Sequence, residues 1–412
     1  QITTTASGKN SLQFTSNTEL YFIEQGKLQS VNIESKQVKN IAVTAELDID
    51  FNREKGEIFK QAWELQNKGF YDPNFHGTNW NRIKATYEPL AAGANTIDEL
   101  RRILALMVGE LNASHSGVSG TVPQFNVGKL GLRYDAAAYE KSGILKITEV
   151  VAAGPAALAG LQVGDQLLSI DGTAISSTAN VDELLLNKTG KMVTLAVRNA
   201  SGDETTAAVR PVNLTTEKSL LYKQWVQQQR DYVSKKSNGK LGYAHMFDMS
   251  SESLNKFYLD IDAENHDRAG VIIDVRNNNG GFVNAYALDV LSRKGYMNMS
   301  FRNMPAAPSR TLLGQRALDA PTVLLTNQHS LSDAEDFSEG YRSLKLGKIV
   351  GEPTGGWIIY TSNITLFDGT VVRLPFIKVT DKDGKNMELV PRPVDIPVSN
   401  PLGEKNKDSQ LD

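Results

Sequence analysis

The sequence predicts a multidomain α/β chain in which a helical region and a β-rich module precede an α/β core. Three observations predict it. Two short apolar, β-branched runs, Gly270–Asp274 and Thr322–Thr326, have the composition of buried strands, and each ends in a turn followed by a helix-like stretch. Between Val127 and Val212 the chain breaks into short strand-like segments punctuated by Gly, Pro and Asp. Ahead of them, the stretches 54–90 and 97–111 carry helical apolar periodicity. The organisation that follows is a β-hairpin region over 1–45, a helical lead-in over 46–123, the β-rich module over 124–214, the α/β core over 215–400 and a loose polar tail over 401–412.

Each element has its own warrant. Residues 12–41 alternate in short strands, and Glu19–Ile33 is expected to be a hairpin turning at Gln25 and Gly26. Ile58, Phe59 and Trp63 mark a first helix, Tyr71, Phe75, His76 and Trp80 an aromatic loop suited to packing, and 97–111 an apolar helix that ends just before Ser114. In the β-rich module, Lys129–Tyr134 and Ile144–Val151 read as strands, Pro155–Gly160 as a short helix against the sheet, Asp171-Gly172 as a tight turn, and Asp182–Leu186 as the start of another helix.

The candidate chemistry lies in the core. After the strand Thr322–Thr326, Ser332 is followed by Asp333, Glu335 and Asp336, acidic residues that suit the positive end of a helix dipole. A hydroxyl at such a strand-to-helix junction stands clear of the sheet, and N–H groups at the helix start can receive an oxyanion. A helix-capping serine would give the same local pattern. The strand Gly270–Asp274 runs into Asn277, Asn278, Asn279, Gly280 and Gly281, a turn whose glycines leave backbone N–H groups free. Ser332 with the N–H groups of Gly280 and Asp333 makes the parts list for acyl transfer: a nucleophile and two oxyanion donors.

These two segments together, Ile273–Gly281 and then Leu325–Asp333, resemble the core of the tail-specific peptidase and tricorn protease superfamily. The resemblance implies an α/β sandwich core of the tail-specific, crotonase-like type and a serine peptidase activity. In the tail-specific branch a lysine deprotonates the serine; here Trp357 stands at its place in Gly351–Ile358. The tricorn branch uses a histidine instead, and Glu110-Leu111-Asn112-Ala113-Ser114-His115 is similar to its Glu-Leu-x-x-Ser-His segment. The resemblance implies His115 as general base, Ser114 as its support and a distant glutamate completing a tetrad. Glu388 fits that glutamate: with Asp395-Ile396 it keeps the branch's spacing, while Leu389 and Pro391 depart from it. Gly281 and Trp357 are expected beside the bound substrate. His329, three residues before the nucleophile, is expected to shape its loop.

The module 124–214 is similar to a PDZ domain over almost its whole length. PDZ domains capture extended peptides by adding a strand to a sheet edge, with a terminal carboxylate held in a backbone nest. Leu130, Gly131 and Leu132 resemble that carboxylate loop and are expected to bind peptide, a rigid spacer with an unused groove being the other reading. Tricorn relatives carry β-propellers upstream, so the hairpin region is expected to be the remnant of a last blade; a self-sufficient hairpin packed on the helices is the alternative.

Composition narrows the partners. With 44 Lys and Arg against 47 Asp and Glu, the formal charge of −3 offers no electrostatic footprint for nucleic acid. No apolar stretch approaches the roughly eighteen residues of a membrane span. The chain has no cysteine, which excludes disulfides and thiol catalysis and leaves both the cell envelope and the cytoplasm open. The five histidines show no metal-ligand spacing and no nucleotide fingerprint is present, so neither metal nor cofactor is expected. Peptides are the expected partners, together with further copies of the chain, because pockets in the tricorn branch are partly built by neighbouring subunits. A non-catalytic peptide-binding or ligand-binding protein of the same fold is the alternative function.

Overall fold

A computed structural model of the chain describes residues 2–5, 7–44, 46, 48–120, 125–313, 318–401, 403 and 407–412; the expected boundaries after 45 and 123 fall outside them. Four antiparallel strands come first, β1 (Lys9–Phe14), β2 (Glu19–Glu24), β3 (Lys27–Asn32) and β4 (Val38–Asn40), paired in that order. The β2–β3 hairpin turns at Gln25 and Gly26, whose φ of 50° and 75° give the doubly left-handed turn that matches strand twist. Leu20, Phe22 and Val31 fill its small core.

Three helices follow, α1 (Phe51–Gly69), α2 (Trp80–Gly93) and α3 (Ile97–Gly109). Asp50, Asn79 and Thr96 cap them, each side chain accepting a first-turn N–H. Ile58, Phe59, Leu100, Leu104 and Met107 build their shared core, in which the aromatic loop packs as expected, Phe75 stacking on Trp80. After the helices, β5 (Gly117–Ser119) leaves this region for a partner far along the chain.

The β-rich module holds β6 (Leu132–Tyr134), α4 (Ala136–Ser142), β7 (Leu145–Val150), α5 (Pro155–Leu158), β8 (Gln166–Ile170), β9 (Thr173–Ala174), α6 (Val181–Leu184), β10 (Val193–Arg198) and β11 (Glu204–Val209). The sheet order is β11-β10-β8-β7-β6, with β9 hairpinned onto β8 through Asp171 and Gly172, again both at positive φ. Ile147, Leu167, Leu195 and Val197 form its core.

The core opens with α7 (Leu214–Lys236), then β12 (Leu241–His245), α8 (Ser251–Leu259), β13 (Gly270–Asp274), α9 (Asn284–Ser292), β14 (Asn298–Met299), β15 (Ala307–Pro308), α10 (Ser309–Leu312), β16 (Thr322–Thr326), α11 (Asp333–Ser343), β17 (Gly347–Gly351), β18 (Tyr360–Thr365), β19 (Val371–Ile377) and β20 (Ile396–Pro397). The strands β12-β13-β16-β17-β20 pair in parallel throughout. Consecutive parallel strands joined by right-handed crossovers put the connecting helices on one face. That face is the main core, where Leu254 and Phe257 of α8, Leu288 and Leu291 of α9 and Phe337 and Tyr341 of α11 meet Val271, Ile273, Leu324 and Ile349. Successive side chains of a strand point to opposite faces, so Tyr243 and Ile272 pack on the other side, under Val226 and Val233 of α7.

Two expectations about organisation are corrected. The helical region and the core are not separate blocks: β18, β19 and β5 form one three-stranded sheet, and Leu366 and Val372 belong to the core of α1–α3. Gln66 of α1 ties them further, its Nε2 donating to Arg373 O (3.1 Å). The final residues are also docked rather than loose. Arg276, 2% exposed, is held by Asp274, and its guanidinium also donates to Asp408 and Gln410 (3.0 Å each). A buried guanidinium needs its donors satisfied, and the tail supplies acceptors for it.

Candidate active site

The parallel sheet brings the two candidate segments together. Asp274 at the end of β13 pairs with Leu325 of β16, so the turn after one and the loop after the other leave the same sheet edge side by side. Leu331 N–H donates to Asn278 O (2.8 Å), Asn277 N–H to Asn327 Oδ1 (3.0 Å), and Ser330 Oγ to Val275 O (2.8 Å). Ser332 then sits at the start of α11 with φ 54° and ψ −124°, a strained conformation for a side chain with a Cβ. Such strain is the mark of a nucleophile elbow.

Gly280 lies directly against the serine. Its φ is +87°, and a Cβ there would come within 2.5 Å of Ser332 Cβ and 2.8 Å of Asp333 N. We therefore expect Gly280→Ala to lower kcat/KM by at least about 100-fold, since a displacement of ~1 Å at the reacting centre has that effect. Steady-state kinetics beside circular dichroism checks this; a folded variant of unchanged activity would remove Gly280 from the site.

The expected oxyanion donors are placed unequally. Asp333 N–H has no hydrogen-bond partner among the described residues, as the first N–H of a helix should. Gly280 N–H, in contrast, donates to Asn278 Oδ1 (2.8 Å), whose Nδ2 is anchored on Met246 O (2.9 Å). Asn278 thus folds back over the turn and occupies the donor assigned from sequence. Gly281 N–H is open among the described residues, and Gly280 O accepts from Met249 N–H (2.9 Å), so in a trans peptide the Gly281 N–H points away from Met249.

Two carboxylates hold this geometry: that of Asp333, expected from sequence only for its backbone N–H, and that of Glu335, which was not singled out as a site residue. The Asp333 carboxylate accepts Val283 N–H (2.7 Å) and Asn284 N–H (3.0 Å), stitching α11 to the start of α9. Glu335 is fully buried and accepts Ser332 N–H (3.1 Å), Gly356 N–H (2.7 Å), Trp357 N–H (2.6 Å) and Thr354 Oγ1 (2.5 Å). Burial pushes both carboxyl groups above the usual carboxylate range, against the hydrogen bonds that lower them. The signal for Glu335 is the spacing Ser332-x-x-Glu335, a capping-box pattern.

Trp357 lies between Ser332 and His115. Its carbonyl accepts Ser332 N–H (2.9 Å), and its ring meets the His115 ring edge-on with centroids 6.3 Å apart. Burial first, and Arg373's charge second, depress the His115 pKa to about 4. His115 Nε2 is buried without a partner, and among the described residues no hydrogen bond joins His115 to Ser332. Glu388, 2% exposed, accepts Ser114 N–H (2.7 Å), Ser114 Oγ (2.9 Å) and Ile358 N–H (3.0 Å). Leu389 N–H donates to Gly356 O (2.8 Å), so the stretch that departs from the branch's pattern packs beside the Trp357 loop.

The remaining expected residues lie elsewhere. Leu130, Gly131 and Leu132 are in the β-rich module, while His245 is buried between Tyr222 OH (2.8 Å) and Arg276 O (3.1 Å). His76 bonds Leu111 O (2.9 Å). Among the described residues no cluster of three or more His, Asp or Glu side chains could hold a metal ion, and no helix is long and apolar enough to cross a membrane.

Residues 240–398 match the profile of Peptidase family S41, residues 51–109 that of the Tricorn protease C1 domain, and residues 146–199 that of the PDZ domain. The tricorn protease homolog of Saccharolobus solfataricus is 31% identical over 385 residues, covering 88% of this chain and 34% of that protein. The tricorn protease of Thermoplasma volcanium is 28% identical over 381 residues, covering 88% and 36%. A crystal structure of the tricorn protease superposes with a TM-score of 0.81 at 23% identity, covering 94% of this chain and 39% of that one, a likeness of fold. The chain spans about a third of the length of these curated relatives.

Proposed function

This chain carries a Tricorn protease C1 domain, a PDZ domain and a Peptidase family S41 domain, and from that set we propose that it is a serine peptidase acting on oligopeptides or unfolded polypeptides. The observation that carries the reading is the strained Ser332 with Gly280 packed on its Cβ and the Asp333 N–H open beside it. Ser332 Oγ attacks the scissile carbonyl carbon while its proton passes to His115. The carbonyl oxygen becomes an oxyanion, received by Asp333 N–H and by the glycine turn, through the open Gly281 N–H or through Gly280 once Asn278 releases it. The C–N bond then breaks, His115 protonates the leaving amine, and a water molecule, deprotonated by His115, hydrolyses the acyl-serine. Ser114, fixed by Glu388, positions the His115 backbone, and His115 closes on Ser332 when substrate binds; such contacts tighten on complex formation.

A fluorophosphonate probe, mapped by mass spectrometry beside a pooled peptide-cleavage assay, tests this. Labelling at Ser332 that is lost in His115→Ala is the expected result. A folded chain that is neither labelled nor cleaves would instead be the non-catalytic peptide binder.

The base also sets a pH dependence. His115 works neutral, so activity is present above its pKa and lost as pH falls through it; the acid limb of kcat/KM is expected near about 4 rather than the ordinary 6.5. Asp336 nearby is pushed up to about 7 by burial and by Asp333's charge, so a second inflection there is separable by Asp336→Asn. A limb that stays near 4 in that variant belongs to His115; a limb at 6 or above in both would remove a buried neutral His115 from the mechanism.

A further inference from the structure

The PDZ groove is present in this chain, but its carboxylate end is taken. The groove runs between β6 and α6 around a cavity of about 290 Å³, lined by Leu132, Tyr134, Val181 and Leu185, with Leu214 and Glu217 at its end. Glu217 belongs to the first turns of α7, yet it is only 4% exposed. Its Oε1 accepts the N–H of Gly131 (3.1 Å) and an Arg133 guanidinium N–H (3.3 Å). Gly131 is the left-handed residue (φ +74°) of the loop Leu130-Gly131-Leu132, the loop whose resemblance to a PDZ carboxylate loop gave the expectation that it seats a terminal carboxylate.

The neighbouring contacts hold α7 there. Lys129 and Val212 exchange both backbone hydrogen bonds (2.7 and 3.0 Å), which brings the chain to the groove mouth just before α7 begins. One turn pair further along, Gln224 Oε1 accepts Ala152 N–H (2.7 Å). A buried carboxylate is stable only with charge-assisted donors, and here those donors are the nest and Arg133.

We propose that Glu217 is a built-in pseudo-ligand: its side-chain carboxylate occupies the seat of a peptide's terminal carboxylate, and peptides with a free C-terminus and an apolar last residue enter the groove by displacing it. A single Gly131 N–H cannot serve both carboxylates at full strength. The apolar preference follows from the leucine and valine side chains that line the groove. This reading concerns the PDZ domain alone and stands independently of the peptidase proposal.

The test uses the full chain with Ser332→Ala, so that cleavage plays no part. Fluorescence anisotropy compares a fluorescein-labelled peptide ending in Leu-Val with a free carboxylate and its C-terminally amidated twin. Glu217→Ala is expected to tighten binding of the acid peptide at least tenfold and to leave the amide unbound. Gln224→Ala, which loosens α7 without touching the seat, is expected to tighten it less, in the same direction, and serves if Glu217→Ala fails to fold. Equal binding of acid and amide peptides, or wild-type affinity for the acid form already as high as in both variants, overturns the proposal.

Discussion

Replacing Ser332 or His115 by alanine is expected to lower kcat by about 10⁴- to 10⁶-fold, with the double replacement no slower than the worse single one. The reason is that in the proposed mechanism the two act as a unit. Without the imidazole the hydroxyl is a poor nucleophile at neutral pH, and without the hydroxyl the base has no proton to accept. Residual rate of roughly 10³–10⁴ over water should survive, contributed by binding and by the Asp333 and glycine-turn N–H groups. Single-turnover kinetics on a fluorogenic peptide, with the variants shown folded by thermal unfolding, gives the comparison. Independent, multiplicative losses would mean that Ser332 and His115 do not share a proton.

Glu335 carries the second large effect, and chiefly on stability. It sits beneath Ser332 and accepts four hydrogen bonds, from Ser332, Thr354, Gly356 and Trp357. Glu335→Ala removes the acceptor of the Thr354 hydroxyl and of the Gly356 and Trp357 N–H groups, while Ser332 N–H keeps Trp357 O, and a loss of about 3–5 kcal/mol is expected from breaking such a buried network. Glu335→Gln keeps the volume but turns an amide NH₂ toward N–H donors, so it should lose stability too, though less. Urea unfolding reads the first effect, and the rate of fluorophosphonate labelling at Ser332 reads the displacement of the Trp357 loop. Wild-type stability together with wild-type labelling in both variants would leave Glu335 no positioning role.

What the sequence made legible were features with local signatures. The strand Thr322–Thr326 meeting Ser332, the Asn/Gly turn at 277–281, the Gln25-Gly26 hairpin and the Asp171-Gly172 turn all declare themselves through residue types that a particular backbone requires. Long-range partners were not legible. Asp333 and Glu335 read as helix-dipole partners in a first turn; their carboxylates in fact reach residues 283–284 and 354–357, contacts that no local window contains. The short strand β5 is three residues long, too short for periodicity to register, and its pairing with β19 joins regions that appear separable in sequence. The helix α4 inside the β-rich module went unread although Asp135 caps it and Gly143, at φ 70°, ends it. Arg276 beside its strand gave no hint that residues 408 and 410 would satisfy it.

The β5–β19 pairing has a thermodynamic consequence. His115 lies two residues before β5, on the edge of the α1–α3 core, whereas Ser332 belongs to the parallel-sheet core; Glu388 and the three-stranded sheet bridge them. The proposed nucleophile and base are therefore held by two cores rather than one, and their alignment is only as stable as the weaker core or the junction between them. As denaturant rises, the proposed peptidase activity should vanish before the parallel sheet melts, so that its operating range reports the coupling free energy between two cores rather than the global stability of either.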